Sequence, residues 1–147
     1  SDLCNTICQI QGEGHISACS GQAVSNVAGT VTALASNGFW FENPTCDTND
    51  ATSNGMFVYY TGTSMPAVGN AVLVNGSVTE YYPGGFTSGG LSITELSNVT
   101  AITASTGTPL TPTIIGAGGR TPAEQVIDRL DAGVPMVSEC CRGSGNS

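Results

Sequence analysis

From residue 22 to about residue 103, apolar positions recur with the short period of strands, and turn residues interrupt them again and again. QAVSNVAGTVTALAS (22–36) sets Val24, Val27, Val31 and Leu34 among small and β-branched residues. It ends at Ser36-Asn37-Gly38, a turn signal. GFWFEN predicts a short aromatic strand, and GMFVYYTG predicts another. AVGNAVLVNGSVTEYY carries Val72, Val74 and Val78 in period-2 alternation, with Gly76 as the expected bulge. GGLSITELSNVTAI supplies the fifth strand through Leu91, Ile93, Leu96, Val99 and Ile102. Short strands joined by glycine-rich turns predict an all-β chain, a small barrel or a sandwich.

The pattern then changes. Thr106 to Pro112 is rich in Thr and Pro and reads as extended. RTPAEQVIDRLDAG predicts a helix over about 121–132. Thr121 is its N-cap, Pro122 its first helical residue and Glu124 the partner in a capping box. Val126, Ile127 and Leu130 form its apolar face, and Gly133 ends it. Residues 1–105 are thus expected to form the β domain. Residues 106–147 are expected to form an extension with one helix and a cysteine-bearing tail.

Charge narrows the partners. The chain of 147 residues has 11 acidic residues, three arginines and no lysine, a net charge of -8. Phosphate contacts supply most non-specific nucleic-acid affinity, and this chain offers almost none. Anionic lipid is disfavoured for the same reason. No apolar run is long enough to span a membrane, so membrane insertion is not expected. Without a leader pattern, Ser1 is expected to begin a mature form.

The six cysteines are Cys4, Cys8, Cys19, Cys46, Cys140 and Cys141. None has C-x-x-C spacing and His15 is the single histidine, which favours disulfides over zinc and implies an oxidising, extracellular setting. Six cysteines allow 15 pairings. Adjacent Cys140 and Cys141 seldom bridge each other, so Cys4 and Cys8 are their natural partners, which leaves Cys19 for Cys46.

The segments ICQIQGEGHIS, GQAVSNVAGTVTAL, NGFWFENP, DATSNGMFVYYTG and VGNAVLVNGSVTEYY occur in this order over about residues 7–128, with GGRTPAEQVID downstream. Together they resemble the OB-like domain of secreted bacterial extracellular nucleases, which precedes an endonuclease/exonuclease/phosphatase-type catalytic region. The resemblance implies a secreted, OB-like, five-stranded Greek-key barrel. Asn70 and Asn43 stand where that pattern has Asp. The catalytic region has no counterpart here, so the resemblance implies a non-catalytic module, with no catalytic residue of its own.

Two candidate sites lie in NGFWFENPTCDTNDATSNGMFVYY. Asp47, Asn49 and Asp50 offer side-chain oxygens of the kind Ca²⁺ takes, though no cofactor is required and the spacing is not that of an EF-hand. The same residues also serve metal-free loops, where they bond the local backbone. Strand alternation places Phe39 and Phe41 on one face and Trp40 on the other; Phe57 and Tyr59 oppose Met56, Val58 and Tyr60. Trp40, Phe57 and Tyr59 are therefore the candidate ligand-binding residues. The corresponding face of OB-like domains binds oligonucleotides or carbohydrate, often by stacking on aromatics.

His15 in GEGHIS reads as a turn residue, since nothing beside it suggests a nucleophile. Glu80 resembles a fourth-strand position of the family and is expected to bond a loop backbone. Asn75-Gly76-Ser77 and Asn98-Val99-Thr100 are glycosylation sequons. The expected function is a secreted binding module. The alternatives are a self-associating subunit of an extracellular filament or layer, and a small enzyme built on the acidic loop and a metal.

Overall fold

Each strand turns one face inward, and those faces enclose a single apolar core in the computed structural model, which describes residues 4–122. All but the first two residues of the helix expected at 121–132, together with Cys140 and Cys141, lie outside the described residues. The strands are β1 (Ala23–Ala35), β2 (Gly38–Glu42), β3 (Gly55–Tyr59), β4 (Ala71–Tyr81) and β5 (Ile93–Ser105). They hydrogen-bond in the cyclic order β1-β2-β3-β5-β4, so the sheet closes into a ring. β1 is long enough to pair with β2 through its C-terminal half and with β4 through its N-terminal half. The parallel pairs Phe57↔Glu95 and Val58↔Leu96 join β3 to β5. All other neighbours in the ring are antiparallel.

The interior follows the alternation. Phe39 and Phe41 are fully buried and meet edge to face, with ring centroids 6.1 Å apart. Val72, Val74 and Val78 of β4 point inward to the same core as Leu96 of β5. Burial of this kind stabilises by about 25 cal/mol per Å² of apolar surface removed from water.

A short helix not foreseen from the sequence, α1 (Ile7–Gln11), closes one mouth of the ring. Its N-terminus is a full capping box. The Thr6 hydroxyl accepts from the Gln9 N–H, and Gln9 Oε1 accepts from the Thr6 N–H at 3.2 Å. Ile7 and Ile10, three residues apart, are both buried in the core cluster.

The disulfides differ from the expected pairing. Cys4 bonds Cys19, with Cα atoms 6.0 Å apart, and Cys8 bonds Cys46, with Cα atoms 5.9 Å apart. Both separations suit the bond. α1 decides the outcome: it places Cys4 beside the turn that carries Cys19, and turns Cys8 to the β2–β3 loop. Cys19 is therefore already taken where Cys46 was expected to find it. Two disulfides belong to an oxidising, extracellular-type environment.

The irregularity expected at Gly76 is real, but the extra residues lie in its neighbours. Val24–Val27 of β1 opposes only Gly76–Val74, and Ala101–Ser97 of β5 opposes only Asn75–Ser77. Asn26 and Asn98 take up the distortion with positive φ, 55° and 46°. Gly76 instead allows close approach: a Cβ there would meet the Ser97 carbonyl oxygen at 2.8 Å.

A candidate ligand-binding cleft

Because the ring is one layer thick, residues that alternate away from the core stand on its outer surface. Trp40 and Phe57 are directly paired across β2 and β3, and Phe57 is paired with Glu95 across β3 and β5. Three adjacent strands thus carry Trp40, Phe57 and Glu95 in one row. The Trp40 and Phe57 ring centroids are 4.8 Å apart with the planes inclined at 52°. Trp40 is 44% exposed and Tyr59 is 45% exposed, whereas their neighbours in sequence Phe39, Phe41 and Val58 are wholly buried.

These side chains border a cleft of about 980 Å³, walled by Trp40, Phe57, Tyr59, Tyr60 and Tyr81, with Asn98 on the rim. All three sequence-predicted ligand-binding residues therefore lie together. A smaller hollow of about 390 Å³ shares Trp40, Phe57 and Ile93 with it, so the aromatic pair separates two adjoining depressions. Among the described residues the cleft lining contains no Arg, Lys or His.

Glu95 is the residue that the sequence reading did not single out. It is 7% exposed and is the one buried residue of the cleft lining, so it forms the floor. Among the described residues its carboxyl has no hydrogen-bond or ion-pair partner. Burial pushes its pKa above the ordinary carboxylate value. An acidic residue on the outward register of a strand reads as solvated. Its cover here comes from neighbouring strands, which one-dimensional spacing does not reveal.

The acidic loop has other uses for its oxygens. Asp47 Oδ1 accepts from the Asn49 N–H at 3.0 Å, and Asp47 Oδ2 accepts from the Thr52 hydroxyl at 2.8 Å. Asn49 Oδ1 accepts from the Ala51 N–H at 3.0 Å, while its amide donates to Glu13 Oε1. Asp50 pairs with Arg120, whose Nε lies 3.5 Å from its carboxylate. The Arg120 guanidinium also donates to the Asp50 and Thr52 carbonyls. Among the described residues no three His, Cys, Asp or Glu side chains gather as a metal site.

Glu80 bonds a loop backbone, as its position suggested. Its Oε1 accepts from the Ser17 N–H at 2.8 Å and from the Thr94 hydroxyl at 2.6 Å. Its Oε2 accepts from the Ser92 hydroxyl at 2.6 Å. Ser92 Oγ also lies 3.2 Å from His15 Nε2. With its hydroxyl donated to Glu80, Ser92 can only accept from His15, so this contact fastens the turn carrying His15 to the residue just before β5.

Comparison of the chain with protein-family models, with curated proteins and with solved structures finds no match.

Proposed function

We propose that this protein is a secreted, non-catalytic binding module of OB-like Greek-key build, and that its outer aromatic cleft holds an oligosaccharide. The observation that carries this reading is the gathering of Trp40, Phe57 and Tyr59 around one cleft on the outer face of β2 and β3. The OB-like reading is supported by the cyclic strand order and the parallel β3–β5 closure. Secretion is supported by the two disulfides. Exposed aromatic rings offer flat apolar surfaces on which the C–H face of a sugar ring stacks, and polar groups nearby fix its orientation. The adjoining hollow beyond the Trp40–Phe57 pair suits a chain of sugars better than a single one.

Between the two ligands that aromatics on such a face serve, electrostatics favours the sugar. A nucleic acid brings a phosphate with every base, and among the described residues the cleft offers an acid and no cation, on a chain of net charge -8. Trp40 is the sole tryptophan, so its fluorescence reports on the cleft directly. Titration with a panel of β-linked oligosaccharides is expected to shift that emission saturably, and single-stranded DNA at low salt is expected not to. DNA binding without sugar binding would replace this reading with the nucleic-acid one, and no response to any sugar would remove it.

A further inference from the structure

A carboxyl group removed from water without a partner is costly. Glu95 is in that position at the floor of the cleft, 7% exposed and without a hydrogen bond or ion pair among the described residues. The group is not needed to hold the ring together. Its strand neighbours Phe57 and Thr79 are joined to it by the backbone ladder alone. The polar side chains next to it are engaged with each other, Thr79 Oγ1 lying 2.5 Å from Ser97 Oγ. An apolar residue or Gln at position 95 would serve the fold as well or better. The carboxyl therefore makes sense as a group completed by what enters the cleft.

We infer that Glu95 selects for sugars that carry a free amino group, so that the ligand of the cleft is an oligomer of hexosamine with unmodified amines. This rests on the oligosaccharide reading of the cleft and adds its chemical class. Four considerations converge. The carboxyl stands in a row with Trp40 and Phe57, so a sugar ring stacked on the aromatic pair brings a ring substituent toward it. An ammonium there gains a charge-assisted hydrogen bond from a buried acceptor, stronger than one from a neutral hydroxyl. The walls of Trp40, Phe57, Tyr59 and Tyr81 add the attraction of a cation for aromatic faces. Finally, the chain's net charge of -8 draws cationic ligands and repels anionic ones at long range. A neutral sugar would use the same walls but leave the charged form of Glu95 uncompensated. Burial already resists that charge, and a bound ammonium restores it.

The experiment uses the full chain and three probes at mildly acidic pH: a β-1,4-linked glucosamine tetramer, the same tetramer fully N-acetylated, and the glucose tetramer. Affinities are read by Trp40 fluorescence and by calorimetry for the wild type and for Glu95→Gln, which keeps the shape and removes the charge. The wild type is expected to bind the glucosamine tetramer about tenfold or more tightly than the other two, a difference on the scale of one charge-assisted contact. Glu95→Gln is expected to erase that gap while retaining the glucose tetramer. Raising the salt concentration is expected to narrow the gap in the wild type, which tests the charge without any variant.

Equal affinities in the wild type, or a gap that survives in Glu95→Gln, would overturn the amine preference and leave the oligosaccharide reading standing. If none of the three tetramers binds, both fall. A wild type that self-associates in light scattering, with Glu95→Gln monomeric, would assign the cleft to a second copy of the chain and overturn the inference.

Discussion

Trp40 and Phe57 face each other across the β2–β3 ladder with ring centroids 4.8 Å apart, on the opposite side of the sheet from the buried Phe39 and Phe41. Alternation thus divides one aromatic run between folding and recognition. Trp40→Ala should abolish the saturable ligand response yet cost under about 1 kcal/mol, because the side chain is already half in water. Phe41→Ala should cost about 3–5 kcal/mol. Urea titrations of both variants check this; a Trp40→Ala as destabilised as Phe41→Ala would make Trp40 a core residue.

Glu80 gathers three donors from two segments, the Ser17 N–H and the Ser92 and Thr94 hydroxyls. Ser17, Ser92 and Thr94 are buried, so removing the acceptor leaves them with nothing in its place. Glu80→Ala is expected to destabilise the fold by about 2–3 kcal/mol, the range for hydrogen bonds to a charged group. Ligand affinity should stay unchanged, since Glu80 does not line the cleft. Unchanged stability in denaturant would show that the cluster is dispensable.

Burial holds the Glu95 carboxyl above its ordinary pKa, so the folded chain keeps a proton that the unfolded chain has released. Stability from this group is fully present below the unfolded value of about 4.3 and is lost as pH rises through the raised native value. In the absence of ligand, Glu95→Gln should remove this part of the decline and gain relative to wild type as pH rises. Urea midpoints for both proteins across that window decide it. Parallel profiles would mean that Glu95 titrates alike in both states.

Gly38 sits where β2 leaves its turn, paired with Tyr59 and Ala35. A Cβ there would lie 2.0 Å from the Val58 carbonyl oxygen and 2.6 Å from the Phe57 ring. Backbone on one side and a ladder partner on the other leave no room to yield. Gly38→Ala is expected to cost about 3 kcal/mol and to weaken ligand binding through the displaced Phe57. Thermal melting followed by the fluorescence titration measures both; a wild-type melting point would refute the clash.

The Cys8–Cys46 bond spans 38 residues. Replacing both cysteines by alanine should cost about 2–4 kcal/mol, chiefly by freeing the unfolded chain. Denaturant unfolding of the double variant gives the value, and no loss would mean that α1 and the loop are held by their other contacts.

The strands were legible because a ring with one buried face imposes a period of 2 on each of them, and the same rule sorted Trp40, Phe57 and Tyr59 to the outside. α1 was not, because five residues give periodicity little to show. Its signal is a Thr6-x-x-Gln9 capping box before the Ile7–Ile10 pair, lying among cysteines that drew the reading elsewhere. Disulfide partners depend on where α1 sits, so they were hidden with it. At Gly76 the site of the irregularity was readable, but which strand takes the extra residue depends on all three neighbours. Glu95 is polar in sequence and buried in space, a contrast that arises only once β3 closes against β5.

The loop between β2 and β3 is held from both flanks of the ring, by Cys8 through its disulfide and by Arg120 through Asp50 and Thr52. It springs from the Glu42–Gly55 end of the hairpin, whereas Asn37, Tyr60 and Thr61 place the cleft toward the Gly38–Tyr59 end. A tether fused to either flank would therefore act as a handle beside the smaller hollow, leaving the larger aromatic cleft as the end that meets a ligand embedded in a bulky matrix first.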